Sequence, residues 1–118
     1  MRKAPFTAMR QTFTTGGSTL GKNGQSLQLQ TGFVVGGFNE TVLPETCSIS
    51  RFVNAWESKA AACNGNREFV GTWINEGLIY FDVVQIYASQ ESARNMAIAN
   101  GEIAIYDLSR KESINIKQ

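Results

Sequence analysis

The chain has 118 residues, 42% hydrophobic and 18% charged, with eleven Lys/Arg against ten Asp/Glu and a formal net charge of +1. A chain of this size buries roughly 65% of its unfolded surface in one core, so a single domain over 1–118 is expected; two domains would each be too small. There is no histidine, which removes the commonest metal ligand and the commonest general base at neutral pH. The longest apolar runs, such as 78–81, fall far below the ~20 residues of a membrane span, and a soluble globular protein is expected.

Residues 10–15 (Arg-Gln-Thr-Phe-Thr-Thr) are rich in strand-favouring types and lead into Gly16, Gly17, Gly21 and Gly24, which reads as one arm of a hairpin and a flexible connection. Leu27, Leu29, Thr31, Phe33 and Val35 then share one parity, so the period of two predicts a long half-buried strand over about 26–38. Pro44 ends the extended region. Ile49, Phe52, Val53, Trp56 and Ala60 follow at helical spacing, predicting a helix over 49–63 with Ser48 as N-cap and Asn64-Gly65 as stop; its Phe52/Trp56 stripe reads as core.

From Glu68 the pattern returns to strand: 69–74, a tight turn at 75–77, and a long central arm over 78–87. Asp82 shares its parity with Leu78, Tyr80, Val84 and Ile86, so its carboxylate lies on a wetter face or has a partner. Ser89 caps a second helix with Glu91 in its first turn, Ala93, Met96 and Ala97 along one side and Gly101 at its end. Residues 102–108 form a last strand, and Ile114 and Ile116 belong to a short edge strand. The resulting expectation is an α+β domain, a mainly antiparallel sheet of five or six strands with two helices on one face in the order ββαββαβ. The termini, 1–8 and 109–118, are expected as flexible or edge-strand segments.

The small net charge conceals an uneven layout. Residues 1–37 carry Arg2, Lys3, Arg10 and Lys22 and no acid (+4), 38–67 balance to zero, 68–108 hold six acids against Arg94 (−5), and the tail returns +2. If folding keeps these segments apart, the molecule has a basic end and an acidic end able to steer a charged partner. Cys47 and Cys63 flank the first helix, and a 1.5 Å rise per residue holds them roughly 20 Å apart, so both are expected as free thiols. The basic start, Met-Arg-Lys-Ala-Pro, lacks the continuous apolar stretch of a signal peptide, so the cytoplasm is the expected compartment.

Several chemistries fail on the residues themselves. Gly16 to Lys22 fits the phosphate-loop pattern GxxxxGK until its last position, where Asn23 replaces the Ser or Thr that reaches magnesium, and strand-like sequence follows where a helix is needed. Serine and cysteine nucleophiles lack a histidine base. Asp82, Glu76, Glu102 and Asp107 make an acid–base pair only if the last three strands are neighbours. No catalytic, cofactor or metal residue is assigned, and no cofactor is expected.

The run Phe69-Val-Gly-Thr-Trp-Ile-Asn-Glu-Gly-Leu-Ile-Tyr-Phe-Asp-Val-Val, with Ser92-Ala93-Arg94 and Ala104-Ile105-Tyr106-Asp107-Leu108, resembles a small uncharacterised α/β domain encoded by bacteriophages and mobile elements. The resemblance covers about 40 residues and rests on Gly71, Trp73, Tyr80, Asp82, Ala104 and Asp107. Where that pattern has Asn-Gln before the last strand, this chain has Gly101-Glu102, so no role for the polar pair carries over. The resemblance implies a phage setting, where small proteins commonly block or redirect a host factor. The expected function is therefore a non-enzymatic interaction protein that binds and inhibits or modulates a host protein, such as an anti-defence (anti-CRISPR-like) inhibitor. Glu68, Glu76, Asp82, Glu91, Glu102 and Asp107 are its expected contacts. A nucleic-acid-associated accessory protein and a small carboxylate-dependent enzyme are the alternatives. The polar, glycine-rich edges are also compatible with a homodimer.

Overall fold

A computed structural model describes residues 3–25, 31–65 and 67–116. In chain order the described elements are α1 (Ala4–Thr15), β1 (Gly17–Leu20), β2 (Phe33–Pro44), α2 (Ile49–Ala62), β3 (Glu68–Asn75), β4 (Leu78–Tyr87), α3 (Gln90–Ala99), β5 (Ala104–Asp107) and β6 (Glu112–Asn115). The six strands form one sheet in the order β1-β3-β4-β2-β5-β6, with every neighbouring pair antiparallel. The α+β class and the antiparallel sheet match expectation. Among the described residues the helices number three, and the order is αββαββαββ rather than ββαββαβ.

The difference lies in α1 and β1: the hairpin arm expected over 10–15 is helical, and Gly17–Leu20, expected within a flexible connection, is instead the strand that pairs with β3. Residues 10–15, expected as strand, complete a helix that starts at Ala4, with Pro5 in its first turn, where proline's missing N–H is no loss. Its threonine hydroxyls return to the backbone: Thr12 Oγ1 donates to the Ala8 carbonyl (2.6 Å), Thr14 to Arg10 (2.7 Å) and Thr15 to Gln11 (2.8 Å). These i−4 bonds satisfy side chains that otherwise compete with helix. Ala4, Ala8 and Thr12, four residues apart, are buried and form a narrow stripe of small residues that lies close against β1 and β3. Thr12 Oγ1 meets Thr72 Oγ1 of β3 at 2.6 Å in the interior. Packing thus outweighs a weak local strand preference. Residues 4–8, in the segment expected to be flexible or an edge strand, are helical, and β6 lies at the edge of the sheet beside β5. The predicted 26–38 strand is observed from Phe33; its 26–30 portion lies outside the described residues.

The remaining elements fall where the periodicity places them. Ser48 Oγ accepts the Arg51 N–H at the start of α2, and Ser89 Oγ accepts the Ser92 N–H at the start of α3. The β3–β4 hairpin turns through Glu76 and Gly77, both at positive φ (51° and 80°), the conformation of a two-residue type I′ turn.

The core follows from parity. Ile79, Phe81 and Val83 of β4, with Val70 of β3 and Leu20 of β1, pack beneath Phe52, Trp56 and Ala60 of α2 and Ala8 of α1. Phe52 stacks edge-on against Phe81 at 4.9 Å, and burying each such side chain contributes about 2–3 kcal/mol. Val35 of β2, paired with Gln85, lies on the same face and packs with Ala93 and Ala97 of α3 and Ile105 of β5. All three helices therefore cover one side of the sheet. Among the described residues no helix lies on the opposite side; at one end Phe69, Val84 and Ile86 close against Val34 and Leu108. Both cysteines are free. Among the described residues no helix is long and apolar enough to cross a membrane.

Candidate functional site

The helix-free side is built from alternate residues of β3, β4 and β2. Register pairs Val42 with Tyr80 and Tyr80 with Trp73, so the three side chains form one rung across the sheet. Trp73 and Tyr80 stack with ring centroids 4.4 Å apart and planes 17° from parallel. Trp73 remains 44% exposed and Val42 42%, and Leu78, also exposed, lies one rung toward the hairpin turn. Offset aromatic stacking fixes the ring positions and leaves a flat, water-facing apolar patch.

The next rung inward is acidic. Asp82 pairs with Gly71 and is only 7% exposed. A side chain at Gly71 would overlap Asp82 Oδ1, so the carboxyl lies across a backbone with no Cβ beneath it. On its other side is an irregular stretch of β2, where the register with β4 shifts between Val35 and Phe38. The Gly36–Gly37 peptide there is held by side chains. Its N–H donates to Asp82 Oδ2 (2.7 Å), and its carbonyl accepts from Asn100 Nδ2 (3.1 Å). Gly37 adopts φ +83°, a conformation that disfavours any residue with a Cβ, and the Glu102 carboxyl occupies the space such a Cβ would need.

Glu102 reaches this point because α3 ends just before it. The Glu102 N–H bonds back to the Ala97 carbonyl (2.8 Å) and the Gly101 N–H to Ile98 (3.1 Å), a pairing that reverses the chain at the helix end. Glu40 of β2 contributes a third carboxylate. Burial raises the Asp82 carboxyl to about 7; the Gly37 N–H opposes this, the charges of Glu40 and Glu102 add to it, and the cation of Lys59 on α2 works against it. Glu102 is raised as well, by burial and then by Glu40. Lys59 is itself buried, and burial lowers its ammonium against the pull of Asp82.

Of the six acidic contacts expected from sequence, two converge here, Asp82 and Glu102. The last three strands of that reading are not all neighbours, because β2 lies between β4 and β5. Glu68 faces the helix side, where its carboxylate accepts from the Asn64 N–H (2.7 Å) and Gln85 Nε2 (2.8 Å). Glu76 occupies the hairpin turn and Glu91 the exposed first turn of α3. Asp107 is buried and accepts the Ser109 and Arg110 N–H groups, closing the turn after β5. The six therefore do not form one surface. Glu40, placed by sequence in the neutral segment, is the neighbour that reading missed; its position follows from the β2 irregularity, which has no local signal beyond Gly36-Gly37. The Gly71–Asp82 and Trp73–Tyr80 pairs are two adjacent rungs of this side.

Two lysines of the basic segment are placed elsewhere. Lys3 and Lys22 line a shallow cleft of about 340 Å³ with Thr7 and Asn23, beside the start of α1. Lys22 and Asn23 form a turn after β1, so the lysine of the GxxxxGK segment does not itself open a helix. Among the described residues no group of three or more Cys, Asp or Glu side chains is arranged to hold a metal ion. No family model matches the chain, and neither a curated protein nor a solved structure is significantly similar to it.

Proposed function

We propose that the protein is a non-enzymatic interaction module of bacteriophage type, acting in the cytoplasm of a bacterial host, that binds and inhibits or modulates a host protein as anti-defence inhibitors do. The observation that carries this reading is the Val42–Tyr80–Trp73 rung on the helix-free side, with Val42 and Trp73 exposed, next to the Asp82 rung and to Glu40. Large aromatics anchored by stacking and rimmed by charge are the usual centre of a binding surface. The partner that fits is a protein surface with an apolar centre and Lys or Arg beside it.

The test is affinity capture from bacterial lysate with the wild-type chain, a Trp73→Ser/Tyr80→Ser double variant, and Ile49→Ser as a control at an exposed residue on the helix side. One protein retained at stoichiometric level by wild type and control, lost by the double variant and weakened by Glu40→Gln, is the expected result. Equal retention by the double variant overturns the reading. So does the absence of a stoichiometric partner together with oligonucleotide binding of steep salt dependence, which favours the Lys3–Lys22 cleft and the nucleic-acid alternative.

A further inference from the structure

We propose that the Gly36–Gly37 peptide, Asp82, Asn100 and Glu102 form a proton-operated latch that ties the α3–β5 connection to the central sheet when closed and releases it when open. Three elements meet at one peptide group. Its N–H is held by Asp82 of β4 and its carbonyl by Asn100 at the end of α3. Glu102, two residues further on, rests its carboxyl against Gly37. Because the β2–β4 ladder is interrupted between Val35 and Phe38, this peptide depends on side chains rather than on a neighbouring strand.

Two acids and one cation act on the latch. Glu40 of β2 and Glu102 of the α3–β5 connection approach Asp82 with like charge, and Lys59 of α2 is the cation that reaches it. From β3 the facing residue is Gly71, which brings no charge. With Asp82 protonated, its carbonyl oxygen still accepts the Gly37 N–H and the hydroxyl can donate to a neighbouring carboxylate. With Asp82 ionised, a negative charge appears in a buried position beside the half-buried Glu102 and the exposed Glu40, and repulsion from these like charges adds to the cost of desolvating it. Asp82 is fixed in a central strand, so the movable partner is the connection that carries Glu102. Displacing it also breaks the Asn100 bond to Gly36. The transition falls near neutrality, since the buried carboxyl titrates at about 7.

The test is an NMR pH titration of the full ¹⁵N-labelled chain from pH 5 to 8.5, free of any partner, so its outcome is separate from that of the binding proposal. The Asn100 side-chain amide and the Glu102 backbone amide are read, the latter as a protection factor that removes the intrinsic base dependence of exchange. The expected result is one transition near pH 7, with Glu102 protection falling at least tenfold above it and the Asn100 signals moving to solvent-exposed positions. Asp82→Asn should hold both readouts at their low-pH values throughout. Glu102→Gln should keep Asn100 bonded across the range even where Asp82→Asn folds poorly. Readouts that do not change with pH in the wild type, or an unaltered transition in either variant, overturn the proposal.

Discussion

Replacing Asp82 by Asn perturbs the site in a way that can be worked from its surroundings. Asn keeps the shape and an oxygen to accept the Gly37 N–H but does not titrate. In the native chain the Asp82 carboxyl is raised from 3.8 to about 7, chiefly by burial, so between those values the folded state holds a proton that the unfolded state has released. Stability is therefore greatest, with respect to this group, below pH 4; it declines as pH rises and the loss is complete above about pH 7. A shift of roughly three units at about 1.4 kcal/mol each sets an upper limit near 4 kcal/mol, and relaxation around the charge brings the expected effect to about 2–4 kcal/mol. Urea or guanidinium unfolding at half-unit pH steps from 4 to 8.5 measures it. Asp82→Asn should match wild type near pH 4 and exceed it by that amount at pH 8, with the shallower slope that Glu102 still contributes. Parallel profiles for the two proteins, or a variant less stable at pH 8, would refute the assignment of a buried, near-neutral carboxyl at this position.

Two further predictions concern the packing that forms the site. Thr12→Val leaves the Thr72 hydroxyl without its buried partner and should cost about 1–3 kcal/mol, whereas the Thr12→Val/Thr72→Val double variant should recover most of that loss; additive losses in chemical unfolding would show that the hydroxyl pair is not coupled. Gly71→Ala places a methyl where Asp82 Oδ1 lies and should destabilise by about 1–3 kcal/mol, with Asp82→Ala in the same chain relieving the overlap; a thermal midpoint unchanged by Gly71→Ala would contradict the close approach.

How much of this could be read from the chain depends on the range of the forces involved. The α2 stripe, its Ser48 cap and the β3–β4 hairpin are legible because helical spacing, a capping hydroxyl and a two-residue turn act within a few residues. The first helix is not legible, because Thr12, Thr14 and Thr15 favour strand locally and become helical only where Ala4, Ala8 and Thr12 meet β1 and β3. Asp82 is identifiable as an acid among apolar neighbours of its own parity. Its companions are not: Glu40 is 42 positions earlier in the chain and Glu102 is 20 later, and they meet Asp82 only through the irregularity in β2 and the helix end before Glu102.

The amino-acid order by itself determined the α+β class with an antiparallel sheet, free cysteines, the lack of any imidazole among the 118 residues, and an uneven distribution of charge. These depend on counts, spacing and local geometry. The tertiary structure decided that the acidic half of the chain does not form one acidic face, since strand parity and the insertion of β2 between β4 and β5 send Glu68, Glu76, Glu91 and Asp107 to separate places. It also placed the Val42–Tyr80–Trp73 rung next to Asp82 on the side of the sheet away from the described helices, and brought Glu40 and Glu102 close enough to act on that carboxyl. Strand order and register depend on which distant segments bury their apolar faces together, and that is a property of the whole chain rather than of any window along it.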